Sequence, residues 1–358
     1  MRSTQVLRSA FHLLALPIVA CAPGTRNLII DTDIFSDVDD TGALLLAATS
    51  PNVNLLAVNI NVGSTYSALA ASAILAHYGK ANVPIGIVRP LTNRSFFDDY
   101  AYELGEYASK VAYHFGSSSS PSLANRTSSS SPYQPKLPWP PLNANKAWDP
   151  VTLYRSTLAA APDGSVTIAS IGFFENLSAL LNSTADAVSP LTGPELVRRK
   201  VERLVVMGGA YPAGREFNFF GDDPSLTAHV INGWRGLTPI VFSGGDLGGS
   251  VMSGARLMRE GPEGDPVRRA YEWYTYGAAR PSWDPLTVLF AMGDSEPGNL
   301  FEYGNEFGYN HVFANGSNAW VYDEAVTDQR FLRLRVGNET AAAELDRLYL
   351  VGAKSVGR

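Results

Sequence analysis

The feature that most constrains this fold is an acid-rich segment enclosed by apolar sequence. Residues 28–30 are apolar, five aspartates fall within residues 31–40, and residues 43–48 are almost entirely apolar again. A solvated acidic loop would have polar neighbours, whereas these neighbours are typical of a protein core. We therefore expect the aspartates at the carboxyl end of a buried strand, where open α/β sheets place their binding sites.

Carboxylates this close together repel one another and need a counter-charge. An all-oxygen cluster favours a hard divalent cation, Ca²⁺ or Mg²⁺, over zinc. The alternative is structural, because acidic residues in the first turn of a helix interact favourably with the helix dipole. The apolar surroundings favour the metal site.

Segments with strand character alternate with segments of helical periodicity, which indicates βαβ units. The chain has 358 residues, of which 45 % are hydrophobic, and this fits one large domain. We predict an α/β fold, a single domain with a mostly parallel, Rossmann-like open sheet flanked by helices. The predicted strands are residues 27–31, 54–60, 83–88, 165–169, 203–207 and 239–242; the predicted helices are residues 39–50, 66–78, 150–161, 224–232 and 340–350, with another from about residue 176; a hairpin is predicted at residues 310–323.

The chain divides into a leader and that one domain. Residues 1–22 resemble a signal peptide, because Arg2 and Arg8 precede an apolar run that ends in small residues around Cys21. Residues 23–358 then form the domain, without a disulfide, since Cys21 is the only cysteine. Residues 116–146 are rich in Ser and Pro and lack periodicity, which predicts an exposed insertion.

The leader and the glycosylation sequons predict a secreted, extracellular glycoprotein. Residues 18–21 also resemble a bacterial lipoprotein cleavage site, but the sequons favour a eukaryotic secretory route. The sequons begin at Asn93, Asn125, Asn176, Asn182, Asn315 and Asn338.

The formal net charge of −6 comes without a basic stripe. Neither nucleic acid nor a membrane is therefore expected as a partner. A small neutral substrate fits this composition, and a homo-oligomer remains open.

Later segments place candidate groups at strand ends, each with a structural alternative. A backbone carbonyl exposed at the turn around Gly172 could ligate a hard metal, although a glycine here also simply permits a turn. Glu216 and Asn218 would point the same way if their segment were extended, as in a clamp for hydroxyl groups. Asp284 begins an apolar helix, where it also serves as an N-cap.

In this order, the segments resemble the inosine-uridine preferring nucleoside hydrolase family from residue 27 to about residue 292, as a secreted, fungal-type divergent member. Asp31 and Asp33 resemble the opening Asp-x-Asp of that family, and Asp39 and Asp40 resemble its closing pair. The loop between the pairs has a longer form that includes Asp37.

The resemblance implies Ca²⁺-dependent hydrolysis of the N-glycosidic bond of a small-molecule ribonucleoside, releasing free base and ribose. It implies a general base, Asp33, acting on the attacking water. The metal ligands that it implies are Asp33, Asp40, Asp284 and the Ile171 carbonyl. The implied substrate-binding residues are Asp39, Met207, Glu216, Phe217, Asn218 and Trp283.

Two positions depart from the family pattern. Trp283 stands where many members carry a leaving-group histidine, and it either stacks on a purine, whose protonated form its ring face would favour, or packs in the core. Ser64 stands where the family often has a ribose-binding Asn. These departures leave open a non-catalytic secreted protein that binds metal or sugar on the same fold. A haloacid dehalogenase-type phosphatase also begins with Asp-x-Asp, but the match at Glu216–Asn218 and Asp284 would then be coincidence.

Deleting residues 117–131 should leave the fold intact, because a polar surface insertion adds little to the core and long loops close at small entropic cost. The shortened protein should be expressed in soluble form and melt close to the temperature of the full chain. Loss of soluble expression would instead place the segment in the core.

Overall fold

An eight-stranded sheet forms the centre of the molecule. The computed structural model describes residues 24–35, 37–95, 106–116, 144–293 and 299–356. Within these ranges the strands are β1 (Arg26–Thr32), β2 (Val53–Ile60), β3 (Ile85–Ile87), β4 (Val166–Ile171), β5 (Val201–Met207), β6 (Ala213–Arg215), β7 (Ile240–Ser243), β8 (Met252–Ser253), β9 (Arg280–Pro281), β10 (Phe301–Tyr303), β11 (Tyr309–Val312), β12 (Ser317–Val321) and β13 (Gln329–Leu334). The order in the central sheet is β10-β13-β7-β5-β4-β1-β2-β3, and only the edge strand β10 is antiparallel to its neighbour.

Helices cover both faces of this sheet. They are α1 (Asp39–Thr49), α2 (Thr65–His77), α3 (Ala108–Phe115), α4 (Pro150–Ala160), α5 (Glu175–Asn182), α6 (Gly193–Lys200), α7 (Phe217–Phe220), α8 (Pro224–Trp234), α9 (Gly245–Gly248), α10 (Ala255–Glu260), α11 (Pro266–Thr275), α12 (Trp283–Ala291) and α13 (Asn338–Ala353), with a 3₁₀ helix at Ala144–Lys146. One core includes Leu44 of α1 and Leu289 of α12, and the other includes Leu177 of α5 and Leu196 of α6. The central strands β1 and β4 are buried along almost their whole length, as expected for parallel strands covered by helices on both faces.

The predicted α/β domain with a mostly parallel, open sheet is therefore confirmed. The predicted hairpin is confirmed as well, since β11 and β12 pair across a turn in which Gly316 has a φ of +79°. The closing helix is longer than predicted, running to Ala353.

Six helices, α3, α6, α7, α9, α10 and α11, lie outside the prediction. Helix α6 is short, and Leu196 and Val197 are the apolar side chains that it buries. Its start nevertheless carries a signal, because Thr192 and Glu195 form a capping box. Helix α11 begins with Asp265 as N-cap and Pro266 in the first turn, a pattern that would have identified it.

The predicted signal peptide lies outside the described residues, as does most of the predicted insertion. The described ends of that insertion are anchored, because Gly116 and Ala144 are buried. No helix in the described ranges is both long and apolar enough to cross a membrane.

The asparagines of the glycosylation sequons differ in their exposure to solvent. Asn93, Asn182, Asn315 and Asn338 are exposed, whereas Asn125 lies outside the described residues. Asn176 is buried and its side-chain amide is bound within the protein, so this sequon is not a glycosylation site of the folded chain.

Strand register brings five loops to one edge of the sheet. Thr32 of β1 pairs with Ile60 of β2 and with Ile171 of β4. Met207 of β5 pairs with Ser243 of β7. The loops that follow these strands therefore meet at the carboxyl edge, which contains the candidate site.

Candidate active site

Asp31 forms the base of the site. It is fully buried at the carboxyl end of β1 and accepts three hydrogen bonds. The Tyr154 hydroxyl donates to Oδ2 at 2.7 Å, while the side-chain amides of Asn61 and Asn176 donate to Oδ1 at 2.6 and 3.2 Å. Removal from water outweighs these donors and raises the pKa of Asp31 to about 7. Since its partners come from α4, α5 and the end of β2, Asp31 joins the elements that carry the site.

Gly172 permits the close approach of two loops above this base. A Cβ at that position would lie 2.5 Å from the backbone nitrogen of Asp33 and 2.8 Å from Oδ1 of Asn61. The glycine is therefore required by space, and it holds the end of β4, with Ile171, beside Asp33.

A buried acidic cluster occupies the centre of the site. One carboxylate oxygen of Asp39 accepts the backbone N–H groups of Trp283 and Asp284 at 3.0 and 3.2 Å. The Thr32 hydroxyl donates to Oδ1 of Asp40. The remaining oxygens, Oδ1 of Asp39 and Oδ2 of Asp40, are buried and have no hydrogen-bond partner among the described residues.

Burial and mutual repulsion raise the pKa values in this cluster. Loss of water is the largest cause for Asp39, Asp40 and Asp284, and neighbouring aspartates add to it. The carboxylate oxygens of Asp37, Asp39 and Asp284 lie within 4.8 Å of one another. Unpaired, buried carboxylate oxygens are donors that suit Ca²⁺ or Mg²⁺, so the residues present fit a hard cation.

The cluster does not follow the predicted ligand set in every detail. Asp284, a predicted ligand, belongs to the close group together with Asp37, which had no assigned role, and Asp39, which was predicted to bind ribose. The predicted ligands Asp33 and Asp40 lie next to it, since both contribute to the raised pKa of Asp284.

Arg280 is a site residue that the sequence did not reveal. Its guanidinium contacts Oδ2 of Asp37 at 2.6 Å, across 243 positions of chain. It also lies 5.3 Å from the ring centres of Tyr274 and Trp283. Its positive charge lowers the pKa of Asp39, although burial keeps that pKa above its usual range.

The second half of the site is the segment from Glu216 to Asn218. Asn218 is buried, and its amide lies 3.1 Å from Sδ of Met207. Glu216 accepts the backbone N–H groups of Gly209 and Asn218 at 3.1 and 3.0 Å, and burial raises its pKa to about 7. Phe217 contacts Phe173, with 5.8 Å between ring centres.

The segment is not extended. Phe217–Phe220 is one helical turn, and Glu216 is its N-cap. The turn forms because the carboxylate of Glu216 accepts the otherwise unpaired Asn218 N–H. Met207, Glu216 and Asn218 nevertheless lie together, as the resemblance implied.

Trp283 joins the two halves of the site. Its indole N–H donates to the carbonyl of Gly245 at 2.7 Å. A Cβ on Gly245 would lie 2.8 Å from Cγ of Glu216, so Trp283 and Glu216 approach the same glycine. The side chain is partly buried and packs against the core.

The fold and the site together define an α/β protein with a buried cluster of aspartates at the carboxyl edge of its sheet, and this cluster suits a metal ion. The chain belongs to the inosine-uridine preferring nucleoside hydrolase family, whose model matches residues 28–313. Members of this family are hydrolases that act on N-glycosyl bonds. This membership excludes the alternative of a haloacid dehalogenase-type phosphatase.

The individual relatives have low sequence identity to this chain, between 18 and 25 %. The chain is 25 % identical over 290 residues to an uncharacterized protein of Schizosaccharomyces pombe, covering 74 % of this chain and 80 % of that protein. A plant nucleoside hydrolase structure is similar with a TM-score of 0.61 and 18 % identity, covering 91 % of this chain and 99 % of the other. The inosine-uridine preferring nucleoside hydrolase of Bacillus anthracis is similar with a TM-score of 0.58, 18 % identity and the same coverage. At these identities the structures establish the shared fold alone.

Replacing Tyr154 with Phe should destabilise the protein, because it leaves the fully buried Asp31 without one of its three donors. The expected loss in the free energy of unfolding is about 1–3 kcal/mol, measured by denaturant titration. Tyr276→Phe is the matched control, since Tyr276 is 72 % exposed. Equal stability of the two variants would contradict the role given to Tyr154.

Proposed function

We propose that this protein hydrolyses the N-glycosidic bond of ribonucleosides in a Ca²⁺-dependent reaction and releases free base and ribose. The observation that carries the proposal is the buried acidic cluster with unpaired oxygens on Asp39 and Asp40. Glu216 and Asn218, at the start of α7, provide polar groups for a sugar. Family membership supports the same bond type.

The ion would be held by Asp33, Asp40, Asp284 and the carbonyl of Ile171, with Asp37 and Asp39 close by. When bound, Ca²⁺ would orient a water molecule and the ribose hydroxyls and make that water easier to deprotonate.

The side chains of the site have separate tasks in this reaction. Asp33 accepts the proton of the attacking water as general base. The surrounding carboxylates stabilise the positive charge that develops on the ribosyl ring as the bond breaks. Hydrogen bonds from ribose hydroxyls go to Asp39, Glu216 and Asn218. A buried polar group left without its partner costs about 1–3 kcal/mol, so deoxyribonucleosides should be poor substrates.

Secretion is part of the proposal. The leader at residues 1–22 and the exposed sequons support it, namely Asn93, Asn182, Asn315 and Asn338.

Asp33→Asn should keep the fold and lower the hydrolysis of inosine and uridine by roughly a hundredfold or more, because the amide cannot accept the proton of water. Free ribose is the measured product. Asp323→Asn, a change at an exposed turn residue, is the control and should retain activity.

Three outcomes separate the candidate functions. Free ribose from the wild type, with loss in Asp33→Asn, supports the hydrolase. Phosphate released from p-nitrophenyl phosphate would indicate a phosphatase, and no product would favour the non-catalytic alternative. Unchanged inosine turnover in Asp33→Asn contradicts the proposed mechanism.

Removing the metal should lower the melting temperature, because the cluster then loses its counter-charge. A Ca²⁺ concentration one hundredfold above the dissociation constant stabilises the fold by about 2.7 kcal/mol. Melting curves after treatment with EDTA, and after Ca²⁺ is restored, measure the effect. Asp284→Asn should reduce this response. Metal analysis that finds zinc, or no metal after dialysis in calcium buffer, would refute the site.

A further inference from the structure

A cavity of about 280 Å³ opens next to Asn61, one of the donors to Asp31. Phe35 of the first loop, Phe173 at the end of β4 and residues of the loop after β3 line it. Asn61 connects the cavity to the centre of the site, because it both lines the cavity and donates to Asp31. The cavity is therefore placed to receive the part of a substrate that projects away from the sugar.

A pair of carboxyl groups lines this cavity. Glu175 is the first residue of α5, and Asp222 lies in the turn between α7 and α8. The two carboxyl groups line the same cavity, and Asp222 contributes to the raised pKa of Glu175. Oε2 of Glu175 is buried and has no hydrogen-bond partner among the described residues. Burial first, and then Asp222, raise the pKa of Glu175 to about 9, so this group holds its proton at neutral pH.

Cleavage of a purine nucleoside needs such a proton, because the base would otherwise depart as an anion. The other described groups nearby do not provide one. The indole N–H of Trp283 is already donated to Gly245. Arg89 and Arg94 line the cavity with guanidinium groups, which are hydrogen-bond donors. No histidine is among the described lining residues, and His229 is bound to Ser178 outside the cavity.

We propose that Glu175, next to Asp222, is the acid that protonates the departing base. The inference rests on the proposed hydrolase function and deepens it. It adds a catalytic residue to the same site.

The proton balance of the step is closed. The bond from C1′ of ribose to the base nitrogen breaks, and its electron pair stays with the base. Glu175 transfers its proton to a ring nitrogen of the base. The oxygen of water bonds to C1′, and a proton of that water goes to Asp33. Exchange with solvent returns a proton to Glu175 and removes one from Asp33, so nucleoside and water yield base and ribose.

The charges that face Glu175 come from several elements. Asp222 and Asp31 both raise the pKa of Glu175. Arg89 and Arg94 line the same cavity from the loop after β3. On the side of α8, His229 contacts Ser178, one turn further along α5.

The test compares inosine with p-nitrophenyl riboside, whose leaving group departs without protonation. Glu175→Gln should lower kcat/KM for inosine by about a hundredfold or more and affect p-nitrophenyl riboside far less. Glu302→Gln, at an exposed position of β10, is the matched control. Wild-type kcat/KM for inosine should fall above a pH of about 9, the pKa of Glu175, and Glu175→Gln should lack this decline.

Asp222→Asn provides a second, independent variant at an exposed position. Since Asp222 raises the pKa of Glu175, its removal should move the alkaline decline to lower pH. Equal losses on both substrates in Glu175→Gln, or an alkaline decline unmoved in Asp222→Asn, would overturn the acid role and leave the hydrolase intact. A wild type inactive on both substrates would overturn the proposed function together with this inference.

Discussion

The burial of several carboxylates at one edge of the sheet is the constraint on which the rest of the structure depends. Removing an ion from water costs several kcal/mol, even after the protein has relaxed around it. Three donors from separate elements offset part of this cost at Asp31. Asp39 and Asp40 each keep one buried oxygen without a partner. Asp31 is therefore surrounded by donors of the protein, whereas Asp39 and Asp40 each retain an oxygen that suits a cation.

The arrangement of the fold follows from that division. Asn61, directly after β2, and Asn176 of α5 both donate to Asp31 of β1 and so connect these three elements. Gly172 allows the end of β4 to approach Asp33 closely. Glu216 and Asn218 form a polar corner. Phe217, between them, contacts Phe173, which lines the cavity together with Glu175 and Asp222. A nucleoside has the same two-part character, with a polar sugar and a flat base.

Errors in the sequence analysis came from contacts between distant parts of the chain. The Asn176 sequon is locally perfect, yet Asn176 is buried because its amide is needed by Asp31. The segment after Glu216 forms a helical turn, and the carboxylate of Glu216 caps it by accepting the Asn218 N–H. A pattern of alternating residues does not show such a cap. Arg280 had no local signal at all, since its partner Asp37 is 243 positions away. The same holds for Glu175 and Asp222, which come from α5 and the loop before α8.

The sequence by itself determined the alternation of strands and helices, the parallel sheet and the position of the acidic loop at its carboxyl edge. These follow from apolar periodicity and from the repulsion of five neighbouring aspartates, both of which are local properties. Only the tertiary structure decided which carboxylate oxygens remain unpaired, that Arg280 pairs with Asp37, and that the carboxyl group of Glu175 is buried beside the cavity. Those outcomes depend on burial and on distances between groups far apart in the chain, and both arise only when the strand ends converge.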